Sequence, residues 1–255
     1  MSPLPQTVPL GLFSFNFYSL LVASAVALCV LWLYRLDATY KSLLGVIALA
    51  LSSLVAGQLG YWALHWDALR EGALPKGLSE HTAILGAWLC YRLMRRWLPA
   101  HLGASLWTVI GLVGAAACLG CIPNGCGFGR EVFWQTEGEQ ALAWQLHVDW
   151  PDMTLTHAPR LPTQALLAGW LALGTLLSRL RPTAEGAEIG IAWFATGDFL
   201  VQFLRGDDIP VWGDLRLYQW LDLVMLTCGV TALLWTWVSN KGSSRVNYGT
   251  PINPT

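Results

Sequence analysis

The sequence predicts an all-α polytopic membrane protein, and its composition, its long apolar segments and the distribution of its charges are the observations that predict it. Hydrophobic residues make up 55% of the 255 residues and charged residues only 12%. An ordinary soluble domain carries about twice that charged fraction. Several segments contain the roughly 20 apolar residues that cross a bilayer core. We therefore expect the chain to lie in a membrane.

Seven segments are predicted to be spanning helices. The third has a short apolar core with His81 at its head, and the sixth carries Asp198 and Gln202. Together they would form a single seven-helix membrane domain over 1–238, and the polar, turn-rich residues 239–255 are predicted to be a disordered cytoplasmic tail. The predicted helices are 13–34, 43–64, 79–94, 103–122, 161–178, 187–204 and 218–238.

The lysines and arginines between these segments predict the orientation. Nine fall on one side and six on the other, where most of the acidic residues also lie. By the positive-inside rule the first side is cytoplasmic, so the N-terminus would be outside and the C-terminus inside. The nine are Arg35, Lys41, Arg92, Arg95, Arg96, Arg179, Arg181, Lys241 and Arg245. The six are Arg70, Lys76, Arg130, Arg160, Arg205 and Arg216.

Other classes of protein are not indicated. The N-terminal residues MSPLPQTVPLG contain no Lys or Arg and are followed by no small-residue cleavage site, so we expect no removable signal peptide. The net charge of -1 and the small basic clusters exclude a nucleic-acid partner. No dinucleotide fingerprint, phosphate loop or zinc-finger spacing occurs, so no cofactor and no metal are expected.

Polar residues near the predicted outer face are the candidates for chemistry. His81 could take a proton from a thiol or hydroxyl, or it could be a hydrogen-bonded residue at the membrane interface. Asp198 and Arg205 are seven residues apart and share a helix face, where Gln202 could bridge them. Such a polar stripe could line a cavity or hold neighbouring helices together.

Three cysteines lie in the segment CLGCIPNGCGFGR, which follows the fourth predicted helix. Cys118, Cys121 and Cys126 could be small apolar residues at a helix end, or they could carry metal or redox chemistry. Cys121 and Cys126 also flank a turn and could form a disulfide on the oxidising side of the membrane. We expect this pair to be oxidised, and Cys29 and Cys90 to remain reduced within their helices.

A long external segment from about Pro123 to Arg160 follows. Its aromatic residues include Phe133, Trp134, Trp144 and Trp150. They could form a lid over a site or anchor the segment at the level of the lipid headgroups.

Five segments in the same order resemble the prolipoprotein diacylglyceryl transferases, seven-helix enzymes of the bacterial inner membrane. The segment GLSEHTAILGAW is similar to the family's serine-X-histidine-glycine-glycine stretch, and CLGCIPNGCGFGR occupies the place of its signature loop. The other three are RLPTQALL, GDFLVQFLRGDD and LYQWLDL.

The resemblance implies transfer of a diacylglyceryl group from phosphatidylglycerol to the cysteine thiol of a lipoprotein precursor. It also implies that the break after the fourth helix is a turn that dips into a lipid-binding cavity. The catalytic residues would be His81 as the base and Arg205, which clamps the phosphate together with Arg130. The expected substrate-binding residues are Tyr18, Cys118, Asn124, Gly129, Arg130 and Gln164.

The chain differs from the family at several positions where the family has charged residues. Asp198 stands in place of an arginine and would repel an anionic lipid unless it is protonated or paired, and Gln202 stands in place of a glutamate. Cys118, Cys121 and Cys126 replace the arginine, asparagine and glutamate of the signature loop. These replacements leave two alternatives open: a catalytically impaired protein that binds lipid or a partner, and a membrane thiol or redox protein.

Reporter fusions test the predicted orientation. The excess of Lys and Arg on one side predicts a cytoplasmic reporter after Trp237 and an external reporter near Trp144. Enzymatic reporters active on only one side of the membrane would measure both positions. A cytoplasmic reporter at Trp144 would contradict the orientation.

Overall fold

The computed structural model of the protein describes residues 7–10, 13–75, 77–133, 143–180 and 182–244, which are mostly helical. Among these described residues, three short antiparallel strand pairs lie outside the helices. The helices are α1 (Phe17–Leu36), α2 (Tyr40–Leu64), α3 (Trp66–Arg70), α4 (Glu80–Met94), α5 (Ala100–Asn124), α6 (Thr163–Leu180), α7 (Gly186–Gln202) and α8 (Leu217–Ser244). The strands are β1 (Thr7–Leu10), β2 (Phe13–Asn16), β3 (Val148–Pro151), β4 (His157–Arg160), β5 (Val211–Trp212) and β6 (Leu215–Arg216).

Four helices among the described residues are long and apolar enough to cross a membrane: α1, α2, α5 and the Leu217–Ser239 part of α8. A helix also occupies each of the other three predicted segments. These helices, α4, α6 and α7, have 15, 18 and 17 residues. At 1.5 Å per residue, α4 is about 22 Å long, shorter than a hydrocarbon core of about 30 Å.

Two predicted boundaries differ from the structure by four residues or more. Residues 13–16, predicted as the start of the first helix, form strand β2 and pair with β1. The Asn16 side chain caps α1 by accepting a hydrogen bond from the Tyr18 amide, which explains why the helix begins at Phe17. The last helix continues to Ser244, six residues beyond the boundary predicted at 238. The remainder of the predicted tail, 245–255, lies outside the described residues.

The core forms where α5, α6, α7 and α8 meet. Leu171, Ile191, Phe194 and Met225 are almost completely buried there. The outward faces of α1, α2 and α8 instead carry exposed leucines, valines and tryptophans. An apolar exterior around a smaller packed interior is the distribution that a lipid environment favours.

A β-hairpin forms part of the predicted external segment. Strands β3 and β4 pair, and the Asp152 carboxylate accepts hydrogen bonds from the Thr154 and Thr156 amides at the turn. The side chain of Arg160, only 4% exposed, donates to Glu131 and Asp152 and so joins the hairpin to the segment after α5. The interval 134–142, which includes Trp134, lies outside the described residues, so the lid remains a prediction.

Close approach of α7 to α5 depends on a glycine. A Cβ atom at Gly186 would lie 2.5 Å from the backbone oxygen of Ala104, which a rotamer change cannot relieve. A Cβ at Gly169 would meet no atom within 4 Å. The two positions are therefore a matched pair for testing the packing.

We predict that Gly186→Ala destabilises the protein by about 1–3 kcal/mol, because the added methyl group forces the two helices apart. Gly169→Ala should leave stability unchanged or slightly higher, because alanine favours the helix. Thermal unfolding in detergent measures both variants. Equal melting temperatures for the two would contradict the close packing of α5 and α7.

Candidate active site

A cavity of about 870 Å³ lies between α1, α4, α5, α6 and α8. It is next to the turn that follows α5. Its volume is in the range of small-molecule sites. Its walls are mixed, with apolar and aromatic side chains beside a few polar ones. The polar side chains that line it include Asn16, Tyr18, Tyr61, Glu80, His81, Asn124, Thr163, Gln164, Arg205 and Tyr218.

His81 lies in the cavity wall between two buried aspartates. Its Nε2 atom is 3.0 Å from Asp198 Oδ2, to which it is hydrogen-bonded, and 3.2 Å from Asp222 Oδ1. The imidazole stacks on Tyr218, with ring centroids 4.9 Å apart, and meets the edge of Phe194. These contacts fix the ring, and Nδ1 has no hydrogen-bond partner among the described residues.

Several oxygen atoms of the carboxylates around His81 accept no hydrogen bond from a described residue. Gln202 Nε2 donates to Asp198 Oδ2 at 2.8 Å, but Asp198 Oδ1, Gln202 Oε1 and both Asp222 oxygens are buried without a hydrogen bond from any described group. Glu80, His81 and Asp198 each offer a ligand atom within 4.8 Å of the others, so these described residues could hold a cation. The site therefore combines one histidine with three nearby carboxyl groups.

Arg205 places a permanent positive charge at the cavity wall, near the Tyr218 ring. Its Nε and Nη2 atoms donate to the Asp207 carboxylate at 3.1 and 2.6 Å, and Asp207 also accepts from Arg216. Burial lowers the pKa of Arg205, but the Asp207 carboxylate more than offsets this effect and holds that pKa above its usual value. Nη1 has no hydrogen-bond partner among the described residues and is left for a ligand.

The break after α5 is a glycine-rich turn that α6 holds in place. Gly125 adopts a left-handed conformation (φ 66°) and ends the helix, which favours glycine. Thr163 Oγ1 donates to the Gly127 carbonyl, and Gln164 Nε2 donates to the Cys126 carbonyl. A Cβ at Gly127 would lie 3.2 Å from the Arg205 guanidinium, so the turn passes directly beside this side chain.

The family model for prolipoprotein diacylglyceryl transferase matches residues 5–235, which include every helix up to most of α8. The chain belongs to the prolipoprotein diacylglyceryl transferase family. No curated protein sequence matches the chain. The expected similarity of five ordered segments to this transferase family is thereby confirmed at the level of the family.

In this family member, most of the predicted site residues meet in one place. His81, Tyr18, Cys118, Asn124, Gln164 and Arg205 all line the cavity. The Asn124 and Asn16 side chains are hydrogen-bonded to each other at 3.2 Å, which joins the end of α5 to the start of α1.

Gly129 and Arg130 do not line the cavity. The Arg130 amide donates to the Leu204 carbonyl, and its own carbonyl accepts from Leu161, so its backbone connects two segments while its side chain is exposed. Gly129 pairs with Arg205 in an isolated β-bridge, and a Cβ there would lie 2.1 Å from the Leu161 carbonyl oxygen. The backbones of both residues therefore hold the neighbouring segments in place, but neither residue lines the cavity.

Asp198 is paired, which is one of the two states that relieve the expected repulsion of an anionic lipid. Asp198 is completely buried and contacts His81, so it is not a charge facing the lipid. Gln202 contacts Asp198 but does not bridge to Arg205, because Arg205 pairs with Asp207 instead. The sequence-based site also lacked Glu80, although it immediately precedes His81 in the sequence.

The three cysteines of the CLGCIPNGCGFGR segment separate into a disulfide pair and a single thiol. Cys121 and Cys126 form a disulfide with Cα atoms 5.0 Å apart, which confirms the expected pairing. Cys118 is a buried free thiol one helical turn before Cys121. With two of the three sulfurs bonded to each other, these cysteines offer no thiolate cluster for a metal.

We predict that alkylation without reductant leaves Cys121 and Cys126 unmodified, and that both become modified after reduction. Cys29 and Cys90, which are free in the structure, serve as internal references for thiols that need no reductant. Mass spectrometry of peptides from denatured protein measures each cysteine. Full alkylation of Cys121 and Cys126 before reduction would contradict the disulfide.

Proposed function

We propose that this protein transfers a diacylglyceryl group from a phospholipid to the thiol of a lipoprotein-precursor cysteine. The supporting observation is that one cavity joins the His81 imidazole, held by a buried aspartate, with the free Nη1 of Arg205. An imidazole can remove a proton from a thiol, and a guanidinium N–H can bind a phosphate oxygen. The family resemblance implies phosphatidylglycerol as the donor, but the bond that breaks is the ester between the glycerol carbon and the phosphate, which glycerophospholipids have in common.

The proposed base is His81, acting through Nδ1. Because Nε2 faces Asp198 and Asp222, its proton is retained there, and the unpaired Nδ1 is the nitrogen that can accept a proton from the cavity. A substrate thiol placed beside Nδ1 would lose its proton to the imidazole and attack the lipid as a thiolate. The imidazolium that forms would lie between carboxylates, which stabilise its charge.

Asp198 is the proposed positioning residue for His81. A carboxylate that accepts the second ring N–H fixes the tautomer and orientation of a catalytic histidine. The stack of Tyr218 on the imidazole restricts the remaining rotation. Asp222, which lies at ion-pair distance from the same nitrogen, adds to the stabilisation of the protonated ring.

Arg205 is the proposed phosphate-binding cation. As the glycerol carbon is attacked, the C–O bond to the phosphate breaks and negative charge develops on the leaving phosphate. Among the described residues, Arg205 is the guanidinium that lines the cavity, and Nη1 is its unpaired nitrogen. The single clamp proposed here replaces the expected pair of Arg130 and Arg205.

The proposed setting is a bacterial inner membrane. Seven spans over 1–238, an external N-terminus and a cytoplasmic C-terminus would place the cavity near the outer surface, where precursor cysteines arrive. The four long apolar helices support a multi-pass arrangement. Precursor peptide and membrane lipid would therefore be the partners of this protein.

We predict that Arg205→Gln lowers kcat/KM for a lipobox peptide by about a hundredfold or more, because it removes the cation beside the leaving phosphate. Arg130→Gln removes the same charge from an exposed side chain and should change kcat/KM by less than about threefold. Thioether formation in lipid vesicles, followed by mass spectrometry, measures both variants.

Because Arg205 also pairs with Asp207, the melting temperature of each variant must be measured. Arg205→Lys, which keeps the charge, should retain more activity than Arg205→Gln at equal stability. Equal losses for the Arg130 and Arg205 variants would contradict the assigned clamp. Absence of transfer by the unmodified protein would instead favour a protein of this family that binds lipid without catalysis.

A further inference from the structure

We infer that the hydroxyl group of Tyr218 is a second hydrogen-bond donor to the lipid phosphate, and therefore a further catalytic residue beside Arg205. The inference rests on the proposed function, in which this phosphate leaves the glycerol carbon, and it concerns a residue outside the sequence-predicted site. It is drawn from the contacts of the Tyr218 ring and from the number of donors that the cavity wall offers to a phosphate.

Tyr218 belongs to the first turn of α8, and the residue that follows it holds this turn in place. The Gln219 side chain accepts a hydrogen bond from the Arg216 amide at 2.9 Å. The same side chain donates to the Phe199 carbonyl of α7 at 3.3 Å. These two bonds attach the start of α8 to the preceding strand and to α7, and Tyr218 lies in the cavity wall.

The ring of Tyr218 contacts both functional groups of the proposed site. It stacks on the His81 imidazole, with ring centroids 4.9 Å apart and an angle of 5° between the planes. The Arg205 Cζ atom lies 5.8 Å from the centroid of the same ring, within the distance at which a guanidinium is attracted to an aromatic face. Tyr218 therefore lies between the proposed base and the proposed phosphate-binding cation.

The Tyr218 hydroxyl is available to a ligand. It forms no hydrogen bond with any described residue, and it is not among the polar atoms that are fully buried without a partner. A phenol can donate one hydrogen bond to an oxygen atom of a bound molecule. Because the ring contacts already restrict this side chain, such a bond would cost little conformational entropy.

The phosphate offers more acceptor oxygens than Arg205 alone can satisfy. Arg205 commits Nε and Nη2 to the Asp207 carboxylate, which leaves Nη1 as its unpaired nitrogen. Among the described residues that line the cavity, no other arginine or lysine is present. A phosphate oxygen that leaves water and finds no donor is costly. A neutral hydroxyl donor beside the guanidinium would reduce this cost.

The contact with Arg205 distinguishes Tyr218 from the other tyrosines of the cavity wall. Tyr18 and Tyr61 also line the cavity. Tyr61 stacks on His65, with ring centroids 4.1 Å apart. In the described part of the chain, Tyr218 is the tyrosine whose ring lies beside the Arg205 guanidinium. Its hydroxyl is therefore the one that we assign to the same phosphate.

The reaction balances with Tyr218 as a hydrogen-bond donor that keeps its proton. The precursor thiolate forms a C–S bond to the glycerol carbon, and the C–O bond to the phosphate breaks with its electron pair on the phosphate. His81 receives the thiol proton. The negative charge that the phosphate gains spreads over its non-bridging oxygens, so a hydrogen bond from Tyr218 to one of them becomes stronger in the transition state.

Removal of the hydroxyl alone tests the inference. Tyr218→Phe keeps the ring and its stack on His81, and in phosphatidylglycerol vesicles it should lower kcat/KM for a lipobox peptide by about 10-fold to 100-fold, the usual effect of losing a hydrogen bond to a charged group. Tyr218→Leu also removes the stack and should lose more. Tyr40→Phe is the matched control, because Tyr40 is exposed and lies outside the cavity wall, and it should change kcat/KM by less than about twofold.

A phosphorothioate donor shows whether the hydroxyl contacts the phosphate. Phosphatidylglycerol in which sulfur replaces one non-bridging phosphate oxygen exists as two diastereomers, and sulfur is a weak hydrogen-bond acceptor. For one diastereomer, the loss of kcat/KM relative to the oxygen lipid should be about tenfold smaller in Tyr218→Phe than in the unmodified protein or in Tyr40→Phe. This loss is a ratio measured within one protein, so a smaller folded fraction of a variant does not change it.

Full activity of Tyr218→Phe together with a loss in Tyr218→Leu would assign the role to the ring alone and overturn the inference. Equal sulfur effects in Tyr218→Phe and the unmodified protein, for both diastereomers, would also overturn it. If the unmodified protein transfers nothing, the proposed function fails, and native mass spectrometry with phosphatidylglycerol then tests the hydroxyl separately. Weaker lipid binding by Tyr218→Phe than by Tyr40→Phe would support the phosphate contact, and equal binding would overturn it.

Discussion

The contact of His81 with two buried aspartates is the interaction on which the rest of the site depends. It connects α4, which supplies His81, to α7 and α8, which supply Asp198 and Asp222. Burying ionisable groups in a membrane protein is costly unless they contact one another. This cost explains why the three side chains converge and why the more polar helices α4 and α7 lie against the core instead of facing lipid.

The second constraint is the close approach of backbone segments at the end of α5. Glycines at 125 and 129 let the chain pass the backbone of Asp152 and Leu161 at distances that any side chain would prevent, and Gly127 lies close beside the Arg205 guanidinium. Thr163 and Gln164 then satisfy the carbonyl groups that the turn leaves without helical partners. The irregular backbone is thereby stable beside a cavity, and it places the Arg205 guanidinium where a phosphate can reach it.

The sequence predicted the helical segments well because length and hydropathy determine them. It also predicted the Cys121–Cys126 pair. It singled out His81 and Arg205, which line one cavity and whose roles stay a prediction. It could not predict the His81–Asp198 contact, because the two residues are 117 positions apart and only helix packing brings them together. The contact of His81 with Asp222 could not be predicted for the same reason. The exposure of Arg130 could not be predicted either, since its backbone hydrogen bonds set the direction of its side chain.

Asp198 shows how a charge can be misinterpreted without its partners. Considered alone, it suggests repulsion of an anionic lipid and a weakened enzyme. Beside His81, it is the group that would orient the proposed base. The loss of family arginines and the gain of acidic residues are then parts of one rearranged site, in which fewer cations face the lipid and two acidic residues contact the histidine.

The most direct test of the central claim is complementation of a bacterium depleted of its own diacylglyceryl transferase. We expect this protein to restore growth, and mass spectrometry to find diacylglyceryl-modified cysteine at the N-terminus of mature lipoproteins. Failure of growth and absence of the modified cysteine, with the protein present in the membrane at the level of a functional control, would contradict the claim.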